Sequence, residues 1–99
     1  MPHRTPSPSA PTWDEFAKQL GRNLLRLREQ RGMSQERVAH ESGIASYTYQ
    51  KFEKGESRPG TPMNPRLDTL IALCEVLDVT LVDLLPRPMP GKESRPGSR

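Results

Sequence analysis

Between Ser34 and Gly55 two short helical runs meet across Glu41-Ser42-Gly43-Ile44, and this joint constrains the chain more than any other feature. The linkage is too tight for an antiparallel helical hairpin and suits two helices that cross steeply, as in a helix-turn-helix. Ser34 is a capping residue, Val38 and Ala39 point inward, and Gly43 supplies the left-handed position that ends the first run. Ala39 is small where the second helix approaches, and Ile44 follows the turn as an apolar plug. The second run, Ala45 to Lys54, closes at Gly55. Its tyrosines, Tyr47 and Tyr49, stand two residues apart, so on a helix their rings point about 200° apart. Tyr49 groups with Phe52 and Glu53 at i, i+3 and i+4 as the inward side. Ser46, Tyr47, Gln50, Lys51 and Lys54 fall on the opposite side.

The flanking sequence keeps a helical period. Phe16, Leu20, Leu24 and Leu27 form one stripe of a first helix that starts near Thr12 or Asp14 and stops at Gly32. The segment "ESRPGTPMNP" reads as a loop, since Pro59, Gly60, Pro62 and Pro65 interrupt any regular element. Asn64 is the expected cap of the following helix, with Pro65 at its first position. Leu67, Leu70, Ile71, Cys74 and Leu77 are expected to line its inner face. Thr80 caps a last short helix with Leu81, Leu84 and Leu85, and Pro86 stops it. The expectation is five helices, no strand and one all-α body.

The ends differ in composition. Residues 1–12 and 86–99 are rich in Pro, Ser, Gly and charge and lack the apolar side chains that offset the entropy of ordering. They are expected to be disordered tails around a folded domain at 13–85. With no apolar leader region, no membrane-spanning run and a lone cysteine, the chain reads as cytoplasmic.

The net charge is +3, and its distribution says more than its sum. Five bases stand against three acids from Trp13 to Arg31, and four against four from Ser34 to Arg58. From Pro59 to Leu85 the one base, Arg66, faces four acids. Charge therefore permits a nucleic-acid partner without demanding one. Catalytic chemistry has little to draw on. His3 lies in a tail, His40 falls on the outer side of its helix, and no histidine or cysteine pair has metal-ligand spacing. Cys74 on an apolar stripe reads as a small buried hydrophobe, with a redox role as the alternative. No metal, cofactor or enzymatic activity is expected.

The stretch "MSQERVAHESGIASYTYQKFEKGESRP" resembles the helix-turn-helix of Cro- and phage-repressor-like regulators, the XRE family. The agreement rests on Ser34-Gln35, Val38-Ala39, Gly43-Ile44, Tyr49, Phe52-Glu53 and Gly55. It extends back through "LLRLREQRG" and forward through "LDTLIALCEVLDVTLVDLL". The resemblance implies a compact five-helix, lambda-repressor-like DNA-binding domain whose third helix, about 46–54, enters the major groove of double-stranded DNA. It further implies a transcriptional regulator acting as a homodimer on a palindromic operator, and an ion pair between Arg28 and Glu53 that ties helix 1 to helix 3.

The outward side of the third helix suits that role. Ser46, Tyr47, Gln50 and Lys51 offer hydroxyl, phenol, amide and ammonium groups to base edges. Gln35, in the first turn of helix 2, sits where free N–H groups and the helix dipole favour a phosphate. Lys54, Ser57 and Arg58 are the remaining phosphate candidates. The apolar residues Val79, Leu81, Val82, Leu84 and Leu85 exceed the internal needs of a short helix and mark the expected dimer surface. Ala45 departs from the family pattern at the recognition-helix N-cap, so that cap is lost unless Ser46 caps one residue later. The loop after Gly55 is longer than usual, and Glu56 opposes a nearby phosphate. That loop either adds phosphate contacts or is a solvent-exposed insertion. Two other functions fit the same fold: an antitoxin-like autoregulator that binds a protein toxin, and a protein-interaction adaptor.

Overall fold

The computed structural model describes residues 10–94 and 96, so much of the expected N-terminal tail and positions 95 and 97–99 lie outside the described residues. Five α-helices and one small hairpin make up the fold: α1 Trp13–Gln30, α2 Gln35–Ser42, α3 Ser46–Lys54, β1 Glu56–Arg58, β2 Thr61–Pro62, α4 Leu67–Leu77 and α5 Leu81–Leu84. A single turn of 3-10 helix follows at Lys92–Ser94. No helix among the described residues is long and apolar enough to cross a membrane.

α1 begins in a capping box. The Thr12 hydroxyl accepts from the Glu15 N–H at 3.2 Å, and the Glu15 carboxylate accepts from the Thr12 N–H at 2.9 Å. Asp14 and Glu15 in the first turn also complement the positive end of the helix dipole. The stripe Phe16, Leu20, Leu24 and Leu27 is buried as its spacing requires. Two glycines set how closely α3 lies on α1. A Cβ at Gly21 would stand 2.5 Å from the Glu53 carbonyl oxygen, and one at Gly55 would stand 2.7 Å from Lys18 Cα. No side chain larger than hydrogen fits either position, so the backbones meet directly.

The joint between α2 and α3 follows from Gly43, whose φ of 77° is left-handed. The Ile44 N–H then returns to the Ala39 carbonyl at 3.0 Å, which directs α3 across α2. Ser34 caps α2 by accepting from the Arg37 N–H at 3.0 Å. Ala45 stands at the N-cap of α3 with no side-chain cap, and Ser46 is already helical.

The segment after Gly55 corrects the expectation of an irregular loop. Glu56 pairs with Pro62 and Arg58 with Thr61 in an antiparallel hairpin, with an irregularity between the two pairs. Pro59 presets the first corner of the turn, and Gly60 takes the left-handed second corner at φ 80°. The residues read as breakers are therefore the ones that make the turn. Pro62 donates nothing and is tolerated because a two-stranded ribbon has free edges. The base of the hairpin is pinned by buried Met63, whose N–H donates to the Gly55 carbonyl at 3.0 Å. The indole N–H of Trp13 donates to the Met63 carbonyl at 3.1 Å.

α4 requires two further corrections. Its N-cap is Arg66 rather than Asn64, and Arg66 supplies no cap because a guanidinium has no acceptor for the free N–H groups; it donates instead to Asp68 at 3.0 and 3.1 Å. Its buried residues are Leu73, Cys74 and Leu77, while Leu67 and Ile71 stay 63% and 49% exposed. The helix "LDTLIALCEVL" is apolar on most sides, so its periodicity does not fix its rotation. α5 starts in a second capping box, Thr80 with Asp83. Leu84 is fully buried and its carbonyl accepts from Asn23 Nδ2 at 2.8 Å.

Beyond α5 the described chain runs back to the start of α1. Pro86 is buried, and the Gly91 N–H donates to the Pro11 carbonyl at 2.8 Å. The Ser94 hydroxyl accepts from the Trp13 N–H and donates to the Gly91 carbonyl, both at 2.9 Å. Part of the expected C-terminal tail thus has a defined path, because these hydrogen bonds supply what its composition lacks.

Candidate nucleic-acid interface

α3 has one locked side and one open side. On the locked side Glu53, whose side chain is 6% exposed, gathers three donors. Arg28 reaches it through Nε at 2.6 Å and Nη2 at 3.2 Å, the Tyr49 hydroxyl at 2.6 Å, and Gln35 Nε2 at 2.8 Å. Arg28 also donates through Nη1 to the Met33 carbonyl at 2.9 Å. Helices α1, α2 and α3 are thereby tied through one carboxylate. Burial pushes the Glu53 carboxyl up, but hydrogen bonds from Arg28, Tyr49 and Gln35 outweigh it and hold the group below the usual carboxylate range. Its hydrogen bond to Glu53 raises Arg28. Burial, reinforced by Glu53, raises Tyr49, which stays a neutral donor.

The open side presents Tyr47, 68% exposed, with the Lys51 ammonium 4.2 Å from its ring centroid. The pair sits at i and i+4, where helix geometry lets a cation rest on an aromatic face. Ser46, Gln50 and Lys51 are half-buried, and Lys54, Ser57 and Arg58 are exposed. Tyr47, Lys51, Lys54, Ser57 and Arg58 border a cleft of about 210 Å³ between α3 and the hairpin, together with Glu56 and Pro59. Among the described residues no carboxylate lies within ion-pair distance of Lys51, Lys54 or Arg58. The structure therefore gathers five of the eight DNA-contact candidates around one cleft. Ser46 and Gln50 lie outside its lining on the same helix, and Gln35 stands apart, its amide on Glu53.

Two parts of this arrangement escape sequence reasoning. Gln35 joins the Glu53 cluster across eighteen residues, and the Tyr49 hydroxyl joins it from one turn away. The i, i+4 spacing of Tyr49 and Glu53 is the one local signal for the latter. Cys74 is buried, and burial followed by the charge of Asp83 raises its thiol pKa, which suits an inert packing residue.

The sequence profile of a helix-turn-helix domain family matches residues 19–86. The uncharacterized HTH-type transcriptional regulator y4dJ of Sinorhizobium fredii is 32% identical over 71 residues, 72% of this chain and 84% of that protein. Among solved structures, the restriction-modification controller protein C.AhdI from Aeromonas hydrophila superposes with a TM-score of 0.61 at 28% identity. The match covers 70% of this chain and 96% of C.AhdI. SinR, the master regulator for biofilm formation, solved in complex with DNA, gives a TM-score of 0.57 at 25% identity over 66% of this chain and 95% of SinR.

Proposed function

Because the chain belongs to the helix-turn-helix family of Cro-like, XRE-type transcriptional regulators, we propose that it binds a specific double-stranded DNA sequence through α3 in the major groove. The supporting observation is the contrast between the two sides of α3, one locked on Glu53 and the other carrying cations that have no carboxylate within ion-pair distance among the described residues. Tyr47, Gln50, Lys51 and Ser46 read base edges in this account, with Gln50 suited to adenine. Lys54, Ser57 and Arg58 hold backbone phosphates, each cation steepening the salt dependence by about one unit. Gln35 contributes through its position in the first turn of α2, where N–H groups lack helical partners, because its side chain already serves Glu53. The DNA-binding unit is residues 13–85.

One such unit reads few base pairs, so two copies pair on a two-fold-related operator with their recognition helices about 34 Å apart. Of the residues expected at the pairing surface, Leu84 is fully buried and therefore unavailable, and Val79, Leu81 and Leu85 are partly buried against the core. Val82 and Ile71 remain exposed, and Ile71, Val79 and Leu81 border an open depression of about 390 Å³ between α4 and α5. The chain acts in the cytoplasm, where the DNA is.

Selection of bound sequences from a random DNA pool by the purified protein is the test, with sedimentation at binding concentrations for the pairing. A palindromic consensus and a dimer are expected. An unenriched pool overturns the DNA reading and leaves the adaptor role, and a monomer on DNA overturns the pairing alone.

A further inference from the structure

We propose that the β1–β2 hairpin is a wing: one backbone strand of the DNA lies in the cleft between α3 and the hairpin, and Arg58, besides its phosphate contact, reaches the minor groove beyond it. The proposal rests on the reading that α3 occupies the major groove.

The cleft has two walls, with Tyr47, Lys51 and Lys54 on α3 and Ser57, Arg58 and Pro59 on the hairpin, enclosing about 210 Å³. Each water occupies about 30 Å³ in the liquid, so a phosphodiester group fits without rearrangement. Three cations border the space, and among the described residues none has a carboxylate within ion-pair distance. Glu56, the acid of the cleft, accepts from the Gly60 N–H at 3.4 Å, so its carboxylate is turned toward the hairpin's own corner. What remains is a cationic slot with a hydroxyl and an aromatic wall, the chemistry of a sugar-phosphate strand.

In a duplex each backbone strand separates the major groove from the minor groove. Walls on opposite sides of one strand therefore face different grooves. With α3 on the major-groove side, the hairpin stands on the minor-groove side. Arg58 is the hairpin residue that ends β1 and opens the turn. Its support is rigid, since Met63 at the hairpin base is buried and bonded to both Gly55 and Trp13. Arginine is favoured where the minor groove narrows over A·T pairs, because the negative potential deepens there. The wing thus adds a preference for A·T pairs beside the sequence read by α3, at positions α3 does not touch.

The experiment repeats the random-pool selection with the full chain and with Arg58→Ala, and measures the affinity of both across salt concentrations. Arg58 is exposed and in no described ion pair, so the variant should melt like the parent by circular dichroism. Both proteins should enrich the same central sequence, and the parent alone should add flanking A·T pairs. On a site carrying the flank, Arg58→Ala should bind about tenfold more weakly, with a salt slope lower by about one. If Arg58→Ala retains the flanking enrichment, the wing is overturned while the major-groove reading stands, whether or not the slope falls. If the parent enriches nothing, the major-groove reading fails and the wing with it.

Discussion

Tyr49 is fully buried with its hydroxyl on Glu53, whereas Tyr47, two residues earlier on the same helix, is open to solvent beneath the Lys51 ammonium. The inward tyrosine belongs to a cluster in which each polar group is answered: Arg28, Gln35 and Tyr49 all donate to one carboxylate. The outward tyrosine belongs to a surface whose charges are left for something else to answer. The contrast shows how a small domain divides its polar residues. Those facing in hold three helices at fixed angles, and those facing out are positioned by that frame without being used up in it. A surface built this way would need little reordering to bind a partner.

Removing the hub should separate the two sides most sharply. Glu53→Ala leaves a buried guanidinium, a phenol and an amide without their acceptor, and should cost about 3–5 kcal/mol in urea unfolding. DNA binding would be lost with the fold, although Glu53 faces away from the outer surface. Tyr49→Phe removes a single donor to a charged acceptor and should cost about 1.5–3 kcal/mol by the same measurement. A cost no larger than that of an exposed substitution would show that the cluster does not depend on its phenol.

Acid should weaken the inward side selectively. Folding lowers the Glu53 pKa, so its contribution is complete above the unfolded carboxyl value of about 4.3 and fades as pH falls through the lower folded value. Thermal melts between neutral pH and about pH 3 should show this loss. In Tyr49→Phe the decline should be smaller and end at a higher pH, since one of the hydrogen bonds that lower the folded pKa is gone while the unfolded value is unchanged. The smallest effect on stability belongs to the outward ring. Tyr47→Ala should change the unfolding free energy by less than about 0.5 kcal/mol while reducing DNA affinity in a fluorescence titration. The opposite pattern for the two tyrosines would mean that α3 is rotated relative to its neighbours.

Local chemistry made much of this legible in the sequence. The α1 stripe, the left-handed glycines at positions 43 and 55, and the opposed tyrosines are consequences of helical period and glycine geometry, which act within a few residues. The pairing of Arg28 with Glu53 came from resemblance, because nothing in spacing alone brings those positions together. Elsewhere the deciding contacts lie far apart in the chain. Gln35 turns from an outward position to Glu53 only once α2 and α3 have crossed. Leu73 displaces Leu67 and Ile71 from the core because α4 is apolar nearly all round, so its neighbours decide its rotation. Pro59 and Gly60 read as breakers of regular structure, and a two-residue β2 carries no alternation to identify it as a strand.

The meeting of Ser94 with Trp13 holds two segments eighty-one residues apart in the chain side by side. A covalent link between these two segments would close a large loop and remove freedom from the unfolded chain with little disturbance to the native one. New termini opened at an exposed turn should then leave the helical frame intact. The order of the helices along the chain is in this sense separable from their arrangement in space.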